Sequence, residues 1–352
     1  MTDSYINQRQ LYSENGYAKN GLRPALDESF PSPAAHQAMT LIRRLVWKIA
    51  IATFVLMAIG SATRVMNAGL ACPDWPLCYG TLFPAQQMNL QVFLEWFHRL
   101  DAALIGVLAI ALVALTGWYR RLLPAWTPWM AILALGLIVF QGILGGLTVT
   151  QLLRFDIVTA HLGTALLFFG TLLVMGSLLL PYSGTGTVGR LPWISLAAAG
   201  LIYLQSLSGA LVGSRWALHQ CLAVSSLCTV MNSHLIGVVP ACASVLTLVV
   251  VAWRTPALHP TLRQLMQVAL SLLLLQVALG SATFRLHLQV ELLTVAHQAI
   301  GAALLGTLIC FTVLGWRDRQ TVGVIPADPA ADSSTTDRQE QAIATKLVAE
   351  GQ

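Results

Sequence analysis

Gln141-Gly142-Ile143-Leu144-Gly145-Gly146-Leu147-Thr148 is followed by Thr159-Ala160-His161-Leu162-Gly163, and the chain then writes the same passage again. The second version reads Gln276-Val277-Ala278-Leu279-Gly280-Ser281-Ala282-Thr283, then Val295-Ala296-His297-Gln298-Ala299 with Gly301 close behind. The glutamines are 135 residues apart and the histidines 136. A second histidine pair keeps the offset: His98 precedes His234 by 136 residues, so the two histidines of each half are 63 residues apart. One such match carries little. Three with nearly one offset predict a duplicated unit, and a repeat governs the whole fold.

The unit that repeats is apolar. Of 352 residues, 56% are hydrophobic and only 10% charged, too few charges to cover a soluble surface. Stretches of about 20 apolar residues, enough to cross a bilayer, recur at 45–65, 93–118, 127–149, 157–180, 193–213, 230–252, 265–284 and 291–315. The expected fold is therefore an all-α polytopic membrane protein: eight transmembrane helices as two tandem pseudo-symmetric four-helix bundles, at 41–182 and 183–316. An even number of spans per unit gives both halves one orientation, a parallel repeat about the membrane normal. Residues 1–40 and 317–352 are polar and expected to be disordered tails. No short apolar core marks a cleaved signal peptide near the start, and acidic residues there argue against a transit peptide.

Basic residues set the orientation. Arg43, Arg44, Lys48, Arg120, Arg121, Arg190, Arg254, Arg263, Arg317 and Arg319 fall on one side, ten in all. Arg64, Arg99, Arg154, Arg215 and Arg285 fall on the other, five. The richer side is expected in the cytoplasm with both termini. The net charge of +5 reads as this loop bias, not as a nucleic-acid footprint; the bilayer is the implied environment and nucleic acid is not a partner.

All four histidines then lie within two turns of the outer ends of the second, fourth, sixth and eighth spans, about 6–10 Å deep. An ionisable group inside a span is a functional hypothesis by default. A lone histidine there can simply bond a neighbouring helix; four at one depth in two pairs read better as axial ligands of haem, which bundles commonly hold between helices. Zinc wants more donors than Glu95 nearby supplies. C-x-x-C-H is missing, so c-type attachment is not indicated. A proton relay in a transporter gives no reason for equal pairing. Arg64, Arg99 and Arg285 are candidates for haem propionates. Gly142, Gly145, Gly146, Gly163 and Gly280 read as close helix packing.

The halves differ. The first has Glu95-Trp96-Phe97-His98-Arg99; the second has Met231-Asn232-Ser233-His234-Leu235 in its place. A carboxylate three residues from a histidine shares its helix face and can accept a proton or stabilise developing positive charge. One equipped pocket and one plain pocket suggest one catalytic site and one electron-transfer or structural site. Cys72 and Cys78 lie in the first outer loop, Cys221 and Cys228 in the third; each pair is spaced for a local disulfide on the oxidising side, with free thiols as the alternative. Cys242 and Cys310 lie inside spans and read as packing residues.

Gly69-Leu-Ala-Cys72-Pro-Asp-Trp-Pro-Leu-Cys78-Tyr-Gly80, Glu95-Trp-Phe-His98-Arg99, Gln141 to Thr148, Thr159-Ala-His161-Leu-Gly163 and Ala296-His297-Gln298 together resemble the haem A synthase family over about residues 42–316. The resemblance implies an oxidoreductase that converts the C8 methyl of haem O to a formyl group, through hydroxylated intermediates, for haem-copper oxidase assembly. It places His98 and His161, with Arg99 and Arg64, at the substrate haem. His234 and His297 become axial ligands of a resident haem b cofactor, and Glu95 the catalytic candidate. It implies a haem O synthase (prenyltransferase) and an electron acceptor as partners, and leaves homo-oligomerisation open. Cysteine pairs in both loops match the bacterial members, where the first pair is associated with redox function, and so imply a bacterial plasma membrane. Gly60-Ser-Ala-Thr-Arg64 departs from a more usual Gly-Gly, and His219 and His287 receive no role. A dihaem cytochrome that only relays electrons would explain the four histidines equally, but not why Glu95 and Arg99 occur in one half; a transporter would explain the duplication but not the matched histidines.

Overall fold

The computed structural model describes residues 32–213, 226–286 and 289–320. Eight helices in it are long and apolar enough to cross a membrane: α1 (Pro33–Val65), α2 (Leu90–Trp118), α3 (Trp126–Thr150), α4 (Phe155–Leu178), α5 (Leu191–Val212), α6 (Ser226–Arg254), α7 (Pro260–Arg285) and α8 (Glu291–Gln320). Among the described residues there is no strand, and one short 3-10 helix, Ala85–Gln87, lies between α1 and α2. The protein is a multi-pass membrane protein.

Local chemistry starts these helices. Ser32 Oγ accepts from Ala35 N–H at 3.2 Å with Pro33 in the first turn of α1. Asn89 Oδ1 accepts from Val92 N–H at 3.0 Å at the head of α2. His259 Nδ1 accepts from Thr261 N–H at 3.2 Å with Pro260 opening α7. Inside the spans, hydroxyls of Thr53, Thr116, Thr247 and Thr312 donate to the carbonyl four residues back. Lipid offers them no partner, so the helix supplies one.

The expected span limits hold within five residues except at the first. The helix there begins at Pro33, inside the segment expected to be a disordered tail up to residue 40. The cap at Ser32 and the burial of Ala38 and Ile42 explain the extension. At the other end α8 runs on to Gln320, past the expected limit at 316. Arg317 and Asp318 looked like the start of a polar tail, but both are tied to the linker between the halves. Arg317 Nη1 donates to the carbonyls of Ser177 (2.8 Å) and Leu180 (2.9 Å). The buried Asp318 accepts from the Tyr182 hydroxyl at 3.0 Å and from Thr185 N–H at 2.9 Å. Burial first, and then the Asp318 charge, push the Tyr182 phenol above its usual range. The remaining residues of both expected tails lie outside the described residues.

Packing closes two rings. α1 packs on α2, α2 on α3, α3 on α4 and α4 on α1; α5, α6, α7 and α8 do the same. The rings meet where α8 touches α1 and α4, and α4 touches α5. α4 and α8 are accordingly the most buried helices. They approach through glycines: a Cβ on Gly170 would lie 3.1 Å from Ile309 Cδ1, and one on Gly306 2.9 Å from Leu173 Cδ1. The outer faces carry exposed Ile51, Val107, Ile236 and Leu274, an apolar surface that lipid would cover. Trp118, Trp129, Trp193 and Trp253 are exposed at the linker end, where an aromatic belt meets the bilayer boundary.

Candidate functional site

The four histidines occupy matched places on their helices. His98 and His234 are the ninth residues of α2 and α6; His161 and His297 are the seventh of α4 and α8. His234 and His297 line one cavity, and the helices that carry His98 and His161 both pack against α1 and α3 in the first ring. The two pairs share one end of the molecule, opposite the linker.

Each imidazole rests on a glycine of the helix before its own. A Cβ on Gly60 would lie 2.7 Å from His98 Cε1, on Gly209 3.1 Å from His234 Cε1, and on Gly280 2.8 Å from His297 Cε1. On Gly145 it would lie 3.5 Å from His161 Cε1. Glycine lets the ring lie flush on a neighbouring backbone, which fixes its plane. Gly145 and Gly280, which the sequence reading left to helix packing, therefore serve the histidines. Gly60 and Gly209 were missed as seats; they lie five and three residues before the ends of α1 and α5.

Glutamines complete the support. Gln141 Nε2 donates to the His161 carbonyl at 2.8 Å, and Gln205 Nε2 to the His234 carbonyl at 2.7 Å. Gln276 Nε2 lies 3.3 Å from His297 Nε2, and Ser208 Oγ 2.9 Å from His234 Nδ1. Gln205 also presses against Gly237 of α6. Gln205 and Ser208 are additions to the sequence reading; they lie one turn or less from Gly209.

His234 and His297 face a cavity of about 400 Å³ between α5, α6, α7 and α8, otherwise lined mostly by apolar side chains such as Leu235, Val238 and Val277. That is within the range of small-molecule and cofactor sites, about 300–1,000 Å³. Arg64 and Arg285 stand at its edge. Arg64 was expected beside the first histidine pair. It instead lines the cavity of the second, because the last turn of α1 abuts the α5–α8 ring.

Do these residues fit a haem? Nδ1 of His98, His161 and His297 is buried without a hydrogen-bond partner. A buried unsatisfied polar group costs about 1–3 kcal/mol, so the rings are suited to something that engages them. Among the described residues no cluster of three His, Cys, Asp or Glu side chains forms. A bare metal ion would lack donors, whereas haem brings its own four nitrogens and needs only the two imidazoles. The donor set, the glycine seats and the cavity fit.

The first pair has a different surrounding. Cys72 and Cys78 form a disulfide with Cα atoms 4.8 Å apart, packed against Val92 of α2. The loop they close is bolted to α2 by one ion pair. Glu95 Oε2 accepts from Cys72 N–H at 2.8 Å while Oε1 accepts from Arg99 at 2.5 Å. Arg99 also donates to the carbonyls of Asp74 (2.6 Å) and Leu77 (2.5 Å). Its guanidinium was a candidate for propionates; here loop carbonyls and Glu95 take its donors. Glu95 is buried, not at a solvated boundary. Asp74 closes the far end of the loop, accepting from Tyr79 N–H (2.6 Å) and Gly80 N–H (2.8 Å), both at positive φ. These bonds, Gly80 first, and the Arg99 charge hold its carboxyl below the usual range. Trp75 leans over Gly146 of α3, where a Cβ would lie 3.2 Å from the indole. The loop thus lies over the end of α3 near His161. Cys221 of the second expected pairing falls outside the described residues, as do Arg215, His219 and His287.

The comparisons with known proteins agree with this geometry. The family model described as cytochrome oxidase assembly protein, COX15-CtaA, matches residues 43–309. A protein named heme A synthase from Shewanella oneidensis is 26% identical over 340 residues, covering 78% of this chain and 97% of that one. Another of that name, from Caulobacter vibrioides, is 28% identical over 337 residues, covering 78% and 96%. One from Geobacillus thermodenitrificans is 34% identical over 152 residues, 42% of this chain and 45% of that one. The matched stretch holds α2 to α7 whole and most of α1 and α8, with both histidine pairs and the bolted loop, and the chain belongs to the COX15-CtaA family of cytochrome oxidase assembly proteins.

Proposed function

We propose that this protein is a haem A synthase, an oxidoreductase of the bacterial plasma membrane that oxidises the C8 methyl of haem O to the formyl group of haem A. The observation that carries the reading is the unequal dress of two matched histidine pairs. Both have glycine seats and glutamine supports. The first lies beside a buried carboxylate, Glu95, where α6 carries Met231, and beside the loop closed by Cys72–Cys78.

In this reading the first ring, α1 to α4, takes the substrate. His98 and His161, seated on Gly60 and Gly145, would hold the iron of haem O. Glu95 is the catalytic candidate: a buried carboxylate one turn from His98 can take a proton or steady positive charge as the methyl is oxidised. Arg99 holds that carboxylate in place and ties it to the loop. Trp75 and the loop cover the end of α3 beside His161.

In the second ring His234 and His297 would hold a resident haem b. Bound there, that group would supply one-electron redox chemistry. Gln205 and Ser208 orient His234 for it, and Gln276 orients His297. The natural suppliers and consumers are a haem O-forming prenyltransferase and the haem-copper oxidases.

Pigment analysis tests the function. Membranes of a strain deleted for this protein should accumulate haem O and contain no haem A on extraction and chromatography. Unchanged haem A in a strain with no second such enzyme would end the proposal.

A further inference from the structure

Arg64 presents a charge without an answer. It sits in the last turn of α1, and its Nη2 donates to Gln298 Oε1 at 3.3 Å. Its Nε is buried and has no hydrogen-bond partner. The ion pairs among the described residues are Arg99–Glu95 and Arg154–Asp156, so none of the described carboxylates pairs with it. A cation held at membrane depth without a counter-ion is expensive, and such residues face a partner or a ligand.

The direction of the side chain shows where that partner would come from. Arg64 leaves the first ring and lies over Gly213 at the end of α5, where a Cβ would be 3.0 Å from Nη2. Gly213 stands four residues after Gly209 as Arg64 stands four after Gly60. The second half thus has no side chain at the matching position, and the arginine fills that space. Its guanidinium lines the cavity that His234 and His297 face, and Gln298, which it touches, follows His297 directly.

We propose that Arg64, a residue of the first ring, is the counter-cation for a carboxylate of the porphyrin bound in the second ring. This rests on the haem reading above. Haem carries two carboxylates on one edge; a guanidinium at the cavity edge can hold one by charge-assisted hydrogen bonds. Arg285, exposed and also lining the cavity, is available to the other. The consequence is mechanical. Arg64 and Gly60 are one turn apart on α1, so the porphyrin of one ring anchors the helix on which His98 of the other ring rests.

The experiment uses full-length protein in detergent, stripped of pigment and titrated with haemin or with haemin dimethyl ester, whose carboxylates are blocked. The wild type should prefer haemin by about tenfold in the low-spin Soret titration, the scale of one charge-assisted hydrogen bond. Arg64→Gln should lose most of that preference and lower the midpoint potential of the bound haem, since a nearby cation favours the reduced iron. Arg64→Lys should keep much of both. If Arg64→Gln does not accumulate, Gly213→Ala, which crowds the guanidinium, reads the same preference. A variant that keeps the wild-type preference and potential, losing only thermal stability, overturns the proposal and leaves the haem reading intact. Wild-type protein that binds neither porphyrin overturns both.

Discussion

At the scale of single residues, the histidines are positioned less by their own helices than by the helices before them. Gly280→Ala would put a methyl 2.8 Å from His297 Cε1. The ring must move, at about 1–3 kcal/mol for such overpacking. Purified Gly280→Ala protein should therefore show weakened or high-spin haem, whereas Gly136→Ala, with open space around it, should match the wild type. His234→Ala or His297→Ala should remove the low-spin b-type spectrum altogether. Glu95→Gln should keep that spectrum and abolish haem A formation in a complemented deletion strain. Full haem A with Glu95→Gln would take Glu95 out of the chemistry and leave it as a bolt for the loop.

At the scale of elements, the loop between α1 and α2 behaves as a built part, not a connection. Its disulfide, the Asp74 turn and the Arg99 clamp all converge on the first turns of α2. Arg99→Ala removes bonds to three loop carbonyls and to Glu95. Loss of a hydrogen bond to a charged group is worth about 1.5–3 kcal/mol, so reduction of Cys72–Cys78 by mild thiol, followed by alkylation and mass spectrometry, should run at least about tenfold faster in the variant. An unchanged rate would show that the loop is held by packing alone. The Asp74 turn carries its own pH signature. A carboxyl whose folded pKa is depressed stabilises the fold above its unfolded value, 3.8, and that contribution is lost as pH falls through the lower folded value. The loop should therefore loosen only in strong acid, below the ordinary Asp range, and Asp74→Asn should remove that pH dependence when the disulfide is reduced by a phosphine, which needs no thiolate.

For the whole molecule, the junction of the two rings is the α4–α8 crossing. Gly170 and Gly306 let these helices meet, and Phe169, Leu173 and Ile309 fill the contact. Gly306→Leu should push the rings apart and lower the unfolding temperature in detergent. Gly106→Leu, in open space on α2, should leave it unchanged. At the opposite end of α8, Arg317 and Asp318 hold the linker from Ser177 to Thr185. The rings are thus pinned at two depths, and Arg64 adds a third contact near the histidines.

Composition and periodicity determined the eight spans, because a bilayer requires about 20 apolar residues wherever the chain crosses it and lets no neighbour override that need. The offset of 136 residues determined which histidines belong to one pair, since equal spacing puts them at equal depth on matching helices. The ends of α1 and α8 were misread because Ser32 and Asp318 find their roles through a local cap and a distant linker, and polar residues with partners look in sequence like polar residues without them. Only the tertiary structure decided where the arginines point. Arg99 and Arg64 sit near helix ends alike, yet one turns into its own loop and the other crosses to the second cavity. A flexible cation goes where acceptors and space are found, and those are set by which helices become neighbours.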